Sequence, residues 1–192
     1  KHPYIKPHHT FHDLLVIKCD LETSDLVDRG IWKSSEEDRK RLSDMVADYC
    51  YKYVLEILKV SRPVIARLAE MYPLVLVSNF YGNIETILTD FDLQYFKHIV
   101  ESAVVGIRKP DPRIFQLGVD ALRKVTGKSD KELPASNILV VGDSFSKDIV
   151  PANEIGCKTV WIKGVGWGNE ETDDSIPTFI IKNIAELENI LG

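Results

Sequence analysis

The sequence predicts an α/β protein in which a mainly parallel sheet is covered by helices on both faces, a three-layer arrangement. Two observations predict this fold. From residue 61 onward, short apolar runs alternate with amphipathic segments, as in strands joined by crossover helices. Residues 1–59, in contrast, show only helical periodicity. We therefore expect a helical region at 1–59 and an α/β core at 60–192.

Within the expected helical region at 1–59, the sequence predicts two helices. A short first helix is expected at Phe11–Lys18, and a longer amphipathic helix at Ser35–Leu58. Ser34 or Ser35 is the expected N-cap of the longer helix, because acidic residues follow in its first turn. Its apolar residues at helical spacing are Leu42, Met45, Val46, Tyr49, Val54 and Leu58.

Within the expected α/β core at 60–192, the sequence predicts alternating strands and helices. The expected strands are Leu74–Val77, His98–Glu101, Asn137–Val141, Thr159–Ile162 and Thr178–Ile181. The expected helices are Pro63–Met71 with Pro63 in its first turn, Asn83–Leu88, Arg113–Val125, Lys147–Ile155 and Ile184–Leu191. Gly164–Asp174 is the most loop-like stretch. Ligands of such sheets bind beyond the carboxyl ends of the strands, which here are Ser78–Asn79 and Gly142–Asp143.

Composition and charge are those of an ordinary globular protein. Hydrophobic residues make up 44% of the chain and charged residues 28%, which argues against disordered and fibrous classes. The net charge is -5 without a basic block, so nucleic-acid binding is not expected. Cys19, Cys50 and Cys157 form no CxxC pair, which argues against a zinc site and favours a reducing cytoplasm. No apolar run has membrane-spanning length and no signal peptide is visible, so we expect a cytoplasmic protein without membrane contact.

The strongest motif is ILVVGDSFSKDI at residues 138–149. An apolar strand ends at Gly142, which lets the backbone turn tightly, and Asp143 and Asp148 follow. Two carboxylates at one strand end supply the hard oxygen ligands that Mg²⁺ prefers. For Asp148 alone, a helix cap or a solvated charge is a serious alternative.

The second motif is LVLVSNFYG at residues 74–82. Its strand brings the Ser78 hydroxyl and nearby backbone N–H groups to the same sheet edge, and a helix beginning near Gly82 adds a positive dipole end. Such a site suits an oxyanion. Taken alone, Ser-Asn after a strand is more often only a helix cap.

The third motif is GIRKPDPRIF at residues 106–115. Lys109 precedes Pro110, which favours an extended approach, and a helix is expected to begin at Pro112. A lysine in this position can reach a strand-end site and neutralise phosphate or carboxylate charge. The alternative is an ordinary surface lysine.

In order and spacing, the three motifs closely resemble those of hydrolases of the haloacid dehalogenase superfamily, over residues 61–192. The resemblance implies a Rossmann-like core. It also implies roles for individual residues: Ser78 and Asn79 at the phosphoryl group, Lys109 as the catalytic lysine that stabilises the charged intermediate, and Asp143 with Asp148 as magnesium ligands. The implied activity is a magnesium-dependent phosphatase acting on a small phosphorylated metabolite. Residues 1–59 resemble the small helical cap that many members insert after their first motif.

The chain departs from this family at its first motif. Members begin with a strand ending in Asp-x-Asp, whose first carboxylate attacks phosphorus and whose second is the general acid and base. Before Ser78 the only candidates are Asp20 and Glu22, in LLVIKCDLETS. Lys18 interrupts that apolar run and no glycine follows, so the segment favours a helix with both acids as exposed cap residues. We therefore expect the nucleophilic Asp upstream of residue 1, a core without its first strand, and no activity in residues 1–192 alone.

Two other functions stay open at the level of sequence. One is a non-catalytic phosphate-binding or scaffolding protein that has lost the first motif. The other is a 2-haloacid dehalogenase, which the resemblance also permits. Dehalogenases of this kind do not need magnesium, so the pair Asp143 and Asp148 favours phosphatase chemistry. The sequence indicates neither the substrate nor the oligomeric state.

Overall fold

The structure is a computed structural model that describes residues 3–164 and 171–191. The chain forms two compact units, each built from two separate segments. Unit 1 consists of Lys1–Arg62 with Tyr81–Gln94, and unit 2 of Pro63–Phe80 with Tyr95–Gly192. Of the predicted loop at 164–174, residues 165–170 lie outside the described part of the chain.

Unit 1 begins with helix α1, Phe11–Asp28. A capping box stabilises its first turn: the Asp13 N–H donates to the Thr10 hydroxyl, and the Asp13 carboxylate accepts from the Thr10 N–H. These hydrogen bonds hold the pKa of Asp13 below its usual value. The helix is longer than predicted and includes Asp20 and Glu22 in its interior. The prediction of a helix here is confirmed, but the two acids are not cap residues.

Helix α2, Glu36–Met71, is one continuous helix of 36 residues, to which both units contribute. Ser35 is its N-cap as predicted, because its hydroxyl accepts from the Asp38 N–H. The predicted helix start at Pro63 is wrong, since this proline lies inside α2. Its ring removes one backbone hydrogen bond, but Val64 and Leu68 of the following turns are buried in the core of unit 2. That burial stabilises the continuation of the helix.

Of the predicted apolar residues of α2, only Leu58, and in part Val54, lie on the face that is buried in unit 1. Ser43 and Ala47 are fully buried, and so is most of Arg39, whose guanidinium donates to Asp20 and Thr23 of α1. The more apolar residues Leu42, Met45, Val46 and Tyr49 are exposed. The Arg39 side chain joins α2 to α1 through these hydrogen bonds, a contact between distant residues that periodicity alone could not indicate.

A third helix, α3 at Ile84–Asp90, completes unit 1. Phe91 packs against Phe11 and Tyr51 with ring centroids 5.5 and 6.2 Å apart. The buried Asn83 side chain donates to the His9 carbonyl. The segment 81–94 therefore belongs to the helical unit in space, although it is far from α1 in sequence.

The described residues of unit 2 form five strands, all in parallel pairs. They are β1 Val75–Ser78, β2 His98–Glu101, β3 Leu139–Gly142, β4 Lys158–Ile162 and β5 Phe179–Ile181. The described residues form a two-stranded sheet, β1–β2, and a three-stranded sheet, β3–β4–β5. All five predicted strands are present, with ends that differ by at most two residues, and the prediction of parallel pairing is confirmed.

The helices of unit 2 differ from prediction at their ends. They are α4 Ser102–Val105, α5 Arg113–Thr126, α6 Val150–Glu154 and α7 Leu187–Leu191, besides the end of α2. The helix predicted at Lys147–Ile155 begins instead as a π-helical segment, Phe145–Ile149, and only then continues as α6. Helix α4 was not predicted, because four residues carry too little periodicity to detect.

Alternate strand residues of unit 2 pack on two different helical layers. Val75, Val77 and Val140 pack in a cluster with Ile114 and Phe115 of α5. Their neighbours in sequence, such as Leu74 and Leu139, pack in a second cluster with residues of α2 and α7. Because successive side chains of a strand point to opposite faces, this is the expected three-layer arrangement. Among the residues that the structure describes, no helix is both long and apolar enough to span a membrane.

Ile114 tests this packing, since its side chain is fully buried at the start of α5. We expect Ile114→Ala to lower the free energy of unfolding by about 2–5 kcal/mol, because it removes buried methyl groups and leaves a cavity. Leu117→Ala is the matched control on the same helix, where 37% of the side chain is exposed. Urea unfolding of the intact protein measures both. Equal losses would contradict the assignment of the α5 face.

Candidate active site

The predicted site residues Ser78 and Asp143 lie at the carboxyl ends of β1 and β3, both in unit 2. Ser78 is the last residue of β1 and is in register with Glu101, the last residue of β2. Glu101 is buried, with 5% of its surface exposed, at the same edge of the sheet. Sequence analysis did not single it out. Its position at a strand end, immediately after an apolar run, is the signal that could have found it.

Asn79 joins the second and third motifs through two hydrogen bonds. Its side-chain amide donates to the Lys109 carbonyl at 3.0 Å, and its side-chain oxygen accepts from the Lys109 N–H at 2.8 Å. One side chain thus forms hydrogen bonds with both the N–H and the carbonyl of a residue 30 positions further along the chain. The predicted phosphate-binding residue Asn79 therefore has a structural task first, which is to position Lys109 at the end of β1. The peptide that follows, Lys109–Pro110, is cis.

The Lys109 side chain connects this loop to the end of β3. Its Nζ donates to Oδ1 of Asp148 at 2.6 Å, and the two side chains are only 16% and 7% exposed. The other oxygen of Asp148 accepts from the Ser144 N–H at 3.1 Å. The Phe115 ring centroid lies 5.6 Å from the Lys109 ammonium group. Lys109 is thus a largely buried cation with defined partners, and the alternative of an ordinary surface lysine is wrong.

Gly142 is required by the close approach of Asp148. A Cβ atom at Gly142 would lie 2.3 Å from Cβ of Asp148, which is closer than real Cβ contacts. The backbone of Gly142 is not in the left-handed region, so the predicted need for a tight turn is not the reason for this glycine. The π-helical segment at Phe145–Ile149 brings Asp148 back onto the end of the strand.

Asp143 and Asp148 share the tip of β3, as predicted, but their surroundings differ. The Asp143 side chain is exposed, whereas Asp148 is buried. The Asp143 backbone carbonyl accepts from the Trp161 indole of β4 at 3.1 Å, which orients the turn. The site therefore offers one open carboxylate and one carboxylate already held by an ammonium group and a backbone N–H.

Asp143 and Asp148 suit Mg²⁺, which keeps water ligands, better than a metal ion that is coordinated by protein side chains alone. Within residues 3–164 and 171–191, no group of three or more His, Cys, Asp or Glu side chains could hold a metal ion. Mg²⁺ is commonly bound by one or two carboxylates, with water and substrate phosphate completing the octahedron. The exposed carboxylate of Asp143 could coordinate such an ion directly. Both oxygens of Asp148 have hydrogen-bond donors, so contact through water suits it better.

The acids weighed as nucleophiles in the N-terminal region do not follow a strand. Asp20 lies in α1 and its carboxylate accepts from Arg39 at 2.9 Å, while Glu22 pairs with Lys18 one turn away. The interpretation of this segment as a helix is confirmed. In unit 2, burial raises the pKa of the Cys157 thiol to about 11, and this residue precedes β4 at the opposite edge from the site. A neutral thiol in that place cannot serve as the attacking group.

A cavity of about 450 Å³ separates β1 from β3 within unit 2. Its walls are mainly apolar side chains of the two strands and of α5, and Lys109, Asp143 and Asp148 also line it. Among the described residues, β1 pairs only with β2, and β3 only with β4. Each of these two strands therefore has one edge without a strand partner in the described part of the chain.

The family model of haloacid dehalogenase-like hydrolases matches residues 27–156, more than half of the chain. The chain belongs to this family. A solved structure of a HAD phosphatase from Thermococcus onnurineus aligns with 94% of this chain and 92% of that chain, at a TM-score of 0.60 and 21% identity. At that identity the likeness shows the fold alone.

Curated relatives of this family member include enzymes of two kinds. Glyceraldehyde 3-phosphate phosphatase of Pyrococcus abyssi is 35% identical over 69 residues, which are 36% of this chain and 25% of that protein. (S)-2-haloacid dehalogenase of Pseudomonas putida is 28% identical over 158 residues, which are 81% of this chain and 63% of that protein. The chain thus matches a quarter of the first relative's length and less than two thirds of the second's.

The contact between Gly142 and Asp148 leads to a prediction for this HAD-like hydrolase. We expect Gly142→Ala to lower the free energy of unfolding by about 1–3 kcal/mol, because the new methyl group overlaps a buried side chain. Gly164→Ala is the matched control, since a Cβ there meets no atom within 4 Å. Thermal unfolding of the intact protein compares the two. A Gly142→Ala variant as stable as the control would contradict this geometry.

Proposed function

We propose that this HAD-like hydrolase is a magnesium-dependent phosphatase that acts on a small phosphorylated metabolite. The observation that carries the proposal is the continuous set of contacts from Asn79 through Lys109 to Asp148. These contacts bring the loops after β1 and β3 to one place, beyond the carboxyl ends of both strands, where ligands of such sheets bind. The phosphatase names among the relatives are consistent with it.

Phosphate recognition falls to Ser78 and Lys109. The Ser78 hydroxyl stands at the end of β1 and can donate to a phosphoryl oxygen. The Lys109 ammonium group can offset the negative charge that phosphoryl transfer spreads over the equatorial oxygens. Asn79 holds the Lys109 backbone and Asp148 holds its Nζ, so the cation is oriented before the substrate arrives. Pre-orientation of this kind lowers the cost of reorganisation in the transition state.

Asp143 and Asp148 are the proposed magnesium residues. The bound ion would supply positive charge that orients and polarises the phosphoryl group. Asp143 offers an exposed carboxylate for coordination, and Asp148 holds Lys109 and would contact the ion through water. Gly142 leaves room for Asp148 at the strand tip, where the Lys109 ammonium group and the Ser144 N–H hold its two oxygens.

We place the attacking carboxylate outside residues 1–192. Neither Asp20 nor Glu22 follows a strand, and Asp20 already accepts from Arg39. The cavity between β1 and β3 supports a further strand there, because its walls are apolar and both flanking strands have an edge without a strand partner among the described residues. A parallel strand in that place would end beside Lys109 and Asp143. The first polar residues after the end of that strand would then face the phosphate.

The metal assignment predicts the effect of neutralising one carboxylate. We expect Asp143→Asn in the intact protein to weaken magnesium binding by at least about tenfold. Even substitution of a residue that only supports the metal ligands commonly lowers metal affinity by that factor. Asp130→Asn is the matched control, an exposed aspartate elsewhere in unit 2. Titration calorimetry measures both affinities. Unchanged magnesium affinity in Asp143→Asn would disprove this role.

The strand assignment predicts that residues 1–192 by themselves lack phosphatase activity. Ser78 and Lys109 can bind and polarise phosphate, but removal of a catalytic nucleophile commonly costs many orders of magnitude. The test compares this polypeptide with one extended through the natural start of the gene, using an aryl phosphate with magnesium.

We expect turnover only from the extended protein, and we expect Lys109→Ala to abolish it there. Equal turnover by both polypeptides would overturn the placement of the nucleophile. Halide release from a 2-haloacid without magnesium, in place of phosphate release, would favour the dehalogenase alternative.

A further inference from the structure

An apolar stripe runs along the exposed side of α2 in unit 1. It consists of Leu42, Met45, Val46, Tyr49, Tyr53, Ile57 and Val60. At about 100° per residue these positions fall within an arc of about 120°, and the one charged residue between Leu42 and Val60 in that arc is Glu56, near its edge. The buried side of the same helix, with Ser43 and Ala47, is a different face.

The stripe is too large for an ordinary exposed surface. Its seven residues are between 41% and 74% exposed. With the areas typical of such side chains, they present on the order of 700 Å² per chain, whereas the largest apolar patch of a monomer is about 300–600 Å². A standard interface buries about 800 Å² per partner. The stripe therefore has nearly the size of one side of a stable interface.

Charged residues beside the stripe alternate in sign along one flank. In chain order they are Asp38, Arg41, Asp48, Lys52, Glu56 and Lys59, all exposed. When the order of these six charges is reversed, each acid takes the place of a base and each base the place of an acid. If a second copy of α2 lies antiparallel, with the two-fold axis near Tyr49, each acid comes opposite a base. The facing pairs are Asp38 with Lys59, Arg41 with Glu56 and Asp48 with Lys52.

We propose that the stripe is the interface of a two-fold symmetric homodimer, in which two α2 helices pack antiparallel. In the same register, Tyr49 meets its own copy at the axis, Val46 meets Tyr53, and Leu42 meets Ile57. A two-fold interface must be complementary to itself, and both the apolar stripe and the charge pattern meet that requirement. The mixed charge of the flank disfavours an anionic lipid surface, which would select basic residues.

The arrangement needs no change in the packing of unit 1. The charged residues make only exposed contacts within their own chain, such as Arg41 with Asp38 and Lys59 with Glu56. Exposed ion pairs contribute little, so these can exchange for contacts across the axis at small cost. The proposal is also independent of the phosphatase activity, since no stripe residue belongs to the candidate active site.

The first test is the mass of the intact protein in solution, measured by light scattering and sedimentation at tens of micromolar. We expect a dimer. Tyr49→Arg, which sets two guanidinium groups against each other at the axis, should weaken the dimer by at least about thirtyfold. Ile31→Arg is the matched control, an exposed isoleucine of unit 1 outside α2. A monomeric intact protein, or equal effects of both substitutions, would overturn the proposal.

Charge reversal tests the antiparallel register. Arg41→Glu alone, or Glu56→Lys alone, sets like charges across the axis at two symmetric places, and should weaken the dimer by roughly three- to tenfold. The double variant Arg41→Glu with Glu56→Lys restores opposite charges, and we expect it to regain the original affinity. A double variant no tighter than either single variant would overturn this register.

Discussion

The contact between Lys109 and Asp148 is the interaction on which the candidate active site depends. Two largely buried opposite charges are stable only if both are paired and hydrogen-bonded. The protein meets this condition with three further groups: the Asn79 amide fixes the lysine backbone, the Ser144 N–H serves the second carboxylate oxygen, and Gly142 leaves room for the aspartate. Loss of any of these groups would leave a buried charge less well paired or accommodated, which costs free energy. The ends of β1 and β3 are therefore coupled through one ion pair.

The same coupling links the site to the packing of the α/β unit. Ser78 and Asn79 belong to the sheet of β1, whereas Asp143 belongs to the sheet of β3, and the cavity lies between these two strands. The spacing of β1 and β3 also sets the distance from the Ser78 hydroxyl, the proposed phosphate ligand, to the proposed metal residues. The strand that we propose for that space would therefore contribute to the sheet and to the site together.

Helix α2 shows how one element can serve two purposes with two faces. In unit 1 its buried face carries Ser43, Ala47 and Arg39, and Arg39 donates hydrogen bonds to α1. Its exposed face carries larger apolar residues such as Met45 and Tyr49. Further along the chain, Val64 and Leu68 enter the core of unit 2, so the helix continues through Pro63. Burial at both ends stabilises a helix that local propensity alone would divide.

The sequence by itself determined the parallel α/β architecture, the five strands, and the positions of Ser78 and Asp143 at strand ends. These features depend on local periodicity and motif spacing, which a single chain records directly. Only the tertiary structure decided what depends on residues distant in sequence. It showed that Asn79 clamps Lys109, that Gly142 makes room for a side chain and not for a turn, and that the most apolar face of α2 is exposed. Periodicity identifies an apolar face, but what packs against that face is decided by the rest of the fold.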